Sequence, residues 1–202
     1  FGTTPRGVYE KHLSDLQERM RQGVGKVDGS TIPYDNQGER GSGRRQIKLL
    51  QPKWLGKAGE NLARLASAST NCPAKAGDVD RTMLLNDGNG KIEEDSRWIG
   101  RGSLPHMVEF RWDQPVELGA VRLISGFYNG AHVHAPITAF QIQQEVDGTW
   151  KDIVPGAEGN TSPVWASTFE PVTTDHLRLL ITKTPHDLSR LWEVEFYAPV
   201  EE

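Results

Sequence analysis

The sequence has almost no cysteine, no long apolar run and no block of like charge. Cys72 is the only cysteine in 202 residues, which excludes an internal disulfide and leaves the core, or a metal, to stabilise the fold. No apolar run approaches the roughly 20 residues that a membrane-spanning helix needs. The formal net charge is -4, and no basic block provides a surface for phosphate groups. We therefore expect neither nucleic acid nor membrane among the partners.

The motifs of common catalytic sites are also missing. The sequence contains no Gly-x-Ser-x-Gly, no glycine-rich phosphate loop and no His-Glu-x-x-His. Glu93, Glu94 and Asp95 bring three carboxylates together, but glycoside hydrolysis needs two that face each other across a substrate. Neighbours within one loop do not meet that requirement, so we expect a fragment without catalysis of its own.

Residues 1–58 differ in composition from the rest of the chain. Apolar residues recur at helical spacing over residues 8–22, and residues 23–46 are polar and rich in glycine. Such a segment cannot bury enough apolar surface to fold alone. The prediction is the tail of a preceding domain with a short helix, followed by a linker from which Trp54 docks on the body at residues 59–202. A disordered arm is the alternative.

After residue 61 the pattern changes to short strands separated by turns. Val108, Phe110 and Trp112 alternate with charged residues, which is typical of a half-buried strand. The segment Val121–Phe127 is more continuously apolar, as a central strand would be, and Asp147-Gly148 predicts a hairpin turn. No amphipathic helix interrupts these strands, so a parallel α/β sheet is disfavoured. The prediction is an all-β sandwich.

A series of short motifs follows in order along residues 60–198. They are Asn61-Leu62-Ala63, Ala66-Ser67-Ala68-Ser69, Leu85-Asn86-Asp87-Gly88, Ser96-Arg97-Trp98, Val108-Glu109-Phe110, Phe140-Gln141-Ile142-Gln143, Asp147-Gly148-Thr149-Trp150 and Glu193-Val194-Glu195-Phe196-Tyr197. In this order they resemble the coagulation-factor type C, or discoidin-like, domain, and within that group the family 32 carbohydrate-binding modules. The resemblance implies an eight-stranded antiparallel jelly-roll sandwich whose loops at one end bind the ligand.

The loop from Leu84 to Trp98 carries four acids, and the resemblance implies one structural calcium ion there. Asp87 would be a ligand, Ser96 would stand where the family usually has threonine, and Glu193 would reach in from the last strand. Backbone carbonyls near Asn89 and at the start of the loop would complete roughly six to eight oxygen ligands. The stretch before Ser96 is longer than the family pattern. A solvated acidic loop is the alternative.

Sugar recognition requires an aromatic face for the apolar side of the ring and a few fixed polar groups for its hydroxyls. The candidate ligand-binding residues are Tyr128, Asn129, His132 and His134 after a central strand, Arg97, Arg101 and His106 around the Trp98 turn, and Trp165. His132 and His134 could instead bind zinc or copper, although a tight site needs a third or fourth ligand.

Six tryptophans are present, and their positions predict two environments. Trp98, Trp112, Trp150 and Trp192 fall on strand faces or at the buried tryptophan of the family, so we expect them in the core. Trp165 follows the turn-like run 160–163, so we expect it to be exposed as a stacking platform or to cover a sheet edge.

The function that these patterns predict is a non-catalytic carbohydrate-binding module of a larger secreted, extracellular or periplasmic polysaccharide-degrading enzyme. Its partners would be an oligo- or polysaccharide and a preceding catalytic domain. Two alternatives remain: a discoidin-like adhesion domain that binds a protein or membrane surface, and a structural domain that packs on its parent catalytic domain.

Overall fold

The computed structural model describes residues 31–32, 51–72, 79–92, 97–128 and 133–200. The strands in these ranges are β1 Thr31–Ile32, β2 Ser67–Thr70, β3 Trp98–Gly100, β4 His106–Ser125, β5 Phe127–Tyr128, β6 Val133–His134, β7 Ala139–Val146, β8 Thr149–Glu158, β9 Val164–Lys183 and β10 Ser189–Tyr197. Short 3-10 helices occupy Lys53–Gly56, Leu62–Leu65, Thr82–Leu85 and Pro185–Asp187. Within these ranges no helical segment has the length and hydropathy that crossing a bilayer requires.

β4 and β9 are the longest strands of the described residues and run through both layers, with 20 residues each. They pair antiparallel from His106 opposite Ile181 to Ile124 opposite Val164, and the register shifts between Arg111 and Val116. Such irregularities bend a strand, so both strands pass from one layer of the molecule into the other. The sheet therefore folds over itself. One layer has the order β8-β7-β9-β4-β2 and the other the order β1-β9-β4-β10-β3.

The main core lies between the two layers. Phe110 of β4 meets Phe196 of β10 edge to face, with ring centroids 5.4 Å apart. Phe140 of β7 meets Trp165 of β9 in the same way at 5.0 Å. These contacts join strands of opposite layers, and the connected sheet holds eight strands. The prediction of an all-β sandwich is confirmed.

β10 is buried on both faces. The alternation of apolar residues with glutamates in its sequence predicts instead one buried face and one exposed face. The register with β4 shifts between Leu191 and Glu193. Val194 belongs to the core between the layers, whereas Trp192 packs in a second cluster with Ile92. Segments from outside the sheet therefore cover the outer face of β10.

The arm before the sandwich contributes to this cover. Trp54 meets Tyr197 of β10 edge to face at 5.7 Å, as predicted for docking of this residue. Farther upstream, Thr31 and Ile32 pair with β9. The predicted helix over residues 8–22 lies outside the described residues.

The tryptophan predictions hold for three residues and fail for two. Trp98, Trp112 and Trp192 are buried. Trp150 is only half-buried, because its ring stands on the outer face of the first layer with the guanidinium of Arg178 4.2 Å from its centroid. The prediction that Trp150 lies in the core is wrong.

The prediction that Trp165 is exposed is also wrong. Trp165 is 2% exposed and lies in the core between the layers. The turn ends earlier than the sequence of residues 160–163 suggests. The Asn160 side chain accepts a hydrogen bond from the Ser162 N–H and donates one to the Ser162 carbonyl, which closes the turn before Val164. β9 then begins at Val164, and strand alternation points the next residue inward.

Candidate ligand-binding site

Two segments are tied together at the end of the sandwich where β2 finishes and β4 begins. The backbone N–H of Asn71 donates to the Met107 carbonyl at 3.3 Å, and the Met107 N–H donates to Asn71 Oδ1 at 2.7 Å. Asn71 Nδ2 also donates to the Pro105 carbonyl at 3.1 Å. These bonds fix the loop after β3 against the end of β2.

His106 ties the same loop to β10. Its ring is fully buried, with Nδ1 2.8 Å from the Ser189 hydroxyl and Nε2 3.3 Å from the Gly102 carbonyl. Because a carbonyl can only accept, Nε2 carries the proton, and in the neutral ring Nδ1 accepts from the hydroxyl. His106 was a candidate ligand-binding residue, but both of its nitrogens are used inside the protein. Its role is to position the loop.

Two arginines converge on the ring of Phe127, a half-buried residue of β5. The guanidinium carbon of Arg97 lies 5.0 Å from the ring centroid, and that of Arg190 lies 6.0 Å from it. Arg97 also lies 6.0 Å from the ring of Trp192. The backbone supports this arrangement, since the Gly126 N–H donates to the Arg190 carbonyl at 2.9 Å. The aromatic faces hold the guanidinium groups by cation–π attraction.

A third arginine joins them from the loop after β3. Arg101 is exposed and follows Gly100, which pairs with Ser189 at the start of β10. The pKa of Arg190 is lowered by burial and, to a smaller extent, by the positive charge of Arg101. This end of the sandwich therefore holds two arginines against the Phe127 ring, of which Arg97 is buried, and a third arginine near Arg190.

The hairpin of β5 and β6 carries two more of the predicted residues. Phe127 pairs with His134, which is exposed, and Tyr128 pairs with Val133. The half-buried Tyr128 packs against the second core cluster around Trp192. Asn129 and His132 lie outside the described residues, so neither their sugar role nor the zinc or copper alternative is tested.

The fold thus brings four predicted residues to one end, namely Arg97, Arg101, Tyr128 and His134. Trp165 is not among them, because it is buried in the core. Sequence reasoning missed Phe127 and Arg190. The only signal for Arg190 was a single positive charge at the start of the last strand. That charge identifies a site residue only once it is known which strand pairs with β10.

No protein-family model matches the sequence. No curated protein matches it either. Solved structures do match. The chain is similar to chitosan-binding module 2 of a chitosanase/glucanase from Paenibacillus sp. IK-5, solved with chitotriose, at 21% identity over 68% of this chain and 100% of that module, with a TM-score of 0.54. It is also similar to the family 32 module of NanJ from C. perfringens, solved with galactose, at 15% identity over 67% of this chain and 95% of that one, with a TM-score of 0.52.

The chain shares the fold of these two carbohydrate-binding modules. The same fold also matches SpGH29, at 23% identity and a TM-score of 0.56, over 72% of this chain. The chain spans 30% of the length of SpGH29, so it corresponds to one part of that longer protein. The predicted resemblance to discoidin-like modules is confirmed at the level of the fold.

The carboxyl group of Glu193 on β10 is completely buried. Its Oε1 accepts from the Gly88 N–H at 3.1 Å and from Asn61 Nδ2 at 3.3 Å. Its Oε2 has no hydrogen-bond partner within the described part of the chain. A buried carboxylate oxygen without a partner is costly, so this position calls for a proton or a cation.

Burial raises the pKa of Glu193 to about 9, and the nearby carboxylates of Glu195 and Asp87 add to the rise. The Gly88 N–H acts in the opposite direction but does not compensate. Asp87 is exposed and its Oδ1 accepts from the Asn89 N–H at 2.7 Å. Of the predicted calcium ligands, Asp87, Asn89 and Glu193 thus come from adjoining segments, whereas Ser96 lies outside the described residues.

These residues fit a hard cation. The unpartnered oxygen of Glu193 and the carboxylate of the nearby Asp87 would provide oxygen ligands. In the described ranges no group of three or more His, Cys, Asp and Glu side chains is suited to holding a metal. The remaining ligands would therefore have to be backbone carbonyls or water.

Proposed function

We propose that this chain is a non-catalytic carbohydrate-binding module whose ligand binds at the end of the sandwich formed by Arg97, Arg101, Phe127, His134 and Arg190. The observation that carries the proposal is the convergence of Arg97 and Arg190 on the half-buried Phe127 ring. Guanidinium groups donate to sugar oxygens, and a ring held in place supplies an apolar surface. The loops around it are fixed by His106 and Asn71, so the groups are arranged before a ligand arrives.

The proposed role of binding is to raise the local concentration of a parent enzyme on its polysaccharide. Binding without chemistry acts through effective concentration, since a tethered catalytic domain meets its substrate more often. The module from the chitosanase/glucanase and the much longer SpGH29 chain support a partnership with a catalytic domain. A secreted, extracellular or periplasmic location belongs to the same proposal.

Calorimetry and affinity electrophoresis against a panel of soluble polysaccharides test this function. We expect weak but saturable binding to at least one glycan, because a shallow site buries little surface. His134→Ala should weaken that binding. The control is Lys151→Ala, which removes an exposed charge on β8, in the other layer from β3 and β10. If every glycan fails while the protein pellets with liposomes or remains inert, the proposal is wrong, and an adhesion or structural role takes its place.

We further propose that calcium stabilises the loop that covers β10, held by Glu193, Asp87 and backbone oxygens near Asn89. Calcium would supply charge neutralisation for the buried carboxylate and would join the loop to the last strand. Melting temperature with calcium and with chelator is the measurement. We expect a rise with calcium that Glu193→Gln abolishes and that magnesium does not reproduce. Identical melting curves with calcium and with chelator would count against the ion.

A further inference from the structure

Three arginine side chains share one side of a two-stranded ribbon. β3 and β10 pair antiparallel, with Arg190 directly opposite Ile99. Side chains two residues apart on a strand point to the same face, and so do residues directly opposite each other. Arg97 and Arg101 lie two residues before and two residues after Ile99, immediately outside β3, and continuing the alternation of the strand by one residue at each end places them on its face. The two therefore lie diagonally on either side of Arg190, in agreement with the shared contacts of Arg97 and Arg190 on Phe127.

The positive charges of Arg101 and Arg190 are not neutralised by the described part of the protein. Neither residue forms an ion pair with a carboxylate in the described ranges. Arg190 Nη1 donates to the Leu188 carbonyl at 3.3 Å, which orients the group without cancelling its charge. Burial and the charge of Arg101 lower the pKa of Arg190, which is the direction expected for like charges held close together.

Like charges held close together repel, so the diagonal placement of Arg101 beside Arg190 is unfavourable in the free protein. An anion placed between Arg101 and Arg190 would remove that cost. Guanidinium groups also present paired N–H donors that match a carboxylate or a sulfate, whereas a neutral hydroxyl uses only part of this capacity. Phe127 adds a flat surface that holds the guanidinium planes in place.

We propose that the ligand of this site is an anionic glycan, one that carries a carboxylate or a sulfate on the bound sugar, and that Arg190 determines this specificity. The inference rests on the proposed carbohydrate-binding function and names its ligand class. Arg190 and Arg101 bind the anionic group from two sides. Arg97 positions the Phe127 ring and the opposite edge of the site.

The test is calorimetry of the full chain with three polysaccharides at matched sugar concentration: polygalacturonate, a sulfated galactan and a neutral galactan. Arg190→Gln removes the charge at the centre, and Arg101→Gln removes the exposed charge beside it. Arg111→Gln is the matched control, since the Arg111 side chain is 60% exposed and sits on β4 in the layer away from this ribbon. Melting curves confirm that each variant is folded.

We expect wild-type protein to bind one anionic glycan at least about ten times more tightly than the neutral galactan, with affinity that falls as salt is added. Arg190→Gln should remove most of this preference, Arg101→Gln part of it, and Arg111→Gln none. Polygalacturonate with its carboxylates methyl-esterified, and the galactan with its sulfates removed, identify which anion is bound. Should Arg190→Gln fail to fold, Arg101→Gln decides the question.

Two results overturn the inference in different ways. If neutral and anionic glycans bind equally, and binding is unchanged in Arg190→Gln and Arg101→Gln, the proposal of an anionic ligand is wrong. The proposed carbohydrate-binding function is then unaffected. If the protein binds none of the three glycans and none of a wider panel of neutral glycans, both the proposed carbohydrate-binding function and this inference are wrong.

Discussion

Arg122 of β4 and Glu195 of β10 form a two-pronged ion pair in the interior, at 7% and 5% exposure. Arg122 Nη2 donates to Glu195 Oε1 at 2.6 Å, while its Nε donates to the other carboxylate oxygen. The Tyr197 hydroxyl donates to that second oxygen at 2.8 Å. The loop above comes so close that a Cβ at Gly90 would lie 3.2 Å from Arg122 Nη2. The pair is thus sealed between the sheet and the loop that covers β10.

Removing one partner of this pair should be strongly destabilising. Arg122→Met leaves the Glu195 carboxylate buried without its counter-charge, so we expect a loss of about 3–5 kcal/mol in the free energy of unfolding. Urea denaturation measures it. The control Arg111→Met, at an exposed side chain 3.8 Å from Glu109, should cost less than about 1 kcal/mol. A loss at Arg122 no greater than that of the control would contradict the buried pair.

Glu193 should make stability depend on pH in an unusual direction. Its pKa rises from 4.5 to about 9 on folding, so the folded state holds the proton more tightly. In chelator, the stability that this group contributes should be complete below about pH 4.5 and lost progressively as pH rises to about 9. Thermal melts across this range measure it, and Glu193→Gln should flatten the curve.

Calcium should alter that profile. A cation competes with the proton for the same carboxylate, so its stabilising effect should grow as pH rises. An unchanged pH profile in Glu193→Gln without metal would show that another group is responsible for the dependence.

Trp165 should prove structural. Trp165→Ala deletes a ring packed edge to face on Phe140, and we expect a loss of about 3–5 kcal/mol. The milder Trp165→Phe should leave glycan affinity unchanged once folding is confirmed. Trp150→Ala serves as the comparison and should cost less, because that ring is half-exposed. A selective loss of glycan binding in Trp165→Phe would return Trp165 to the ligand-binding site.

Gly126 should control the geometry of the binding end. Its φ is +118°, and a Cβ there would lie 2.7 Å from the His134 carbonyl oxygen. Gly126→Ala therefore forces β5 and β6 apart and should weaken glycan binding more than it lowers the melting temperature. Gly59→Ala, where a Cβ meets nothing within 4 Å, is the control. Equal affinities for the two variants would mean that the hairpin does not shape the site.

Much of the fold could be read from local patterns. The alternation around Phe110 and the more continuously apolar run from Val121 to Phe127 predicted a half-buried strand and a central one. The structure joins them in one long strand, β4, which ends at Ser125, so that Phe127 falls in β5. The turn-like run 160–163 gave the wrong environment for Trp165, because side-chain hydrogen bonds of Asn160 end the turn before that residue. Alternation failed at Trp150 because a strand has two faces, and only the neighbouring layer decides which of them is buried.

The proposed binding end could be predicted only in part. Arg97 and Arg101 stand close in sequence to Trp98, so a family motif pointed to them. Arg190 is about 90 residues away along the chain, and it meets them only through the register of β10 against β3. The sequence around Arg190 does not indicate that it lies near Arg97 and Arg101.

The sequence by itself determined that the chain is a two-layered β-structure without disulfides, since side-chain alternation and cysteine content are local properties. The tertiary structure alone decided that Glu193 is buried with an unpartnered oxygen and that Arg190 lies diagonally between Arg97 and Arg101. The physical reason is that burial and charge proximity depend on pairing between distant strands. A shift of one residue in that pairing would turn every side chain of β10 to the opposite face.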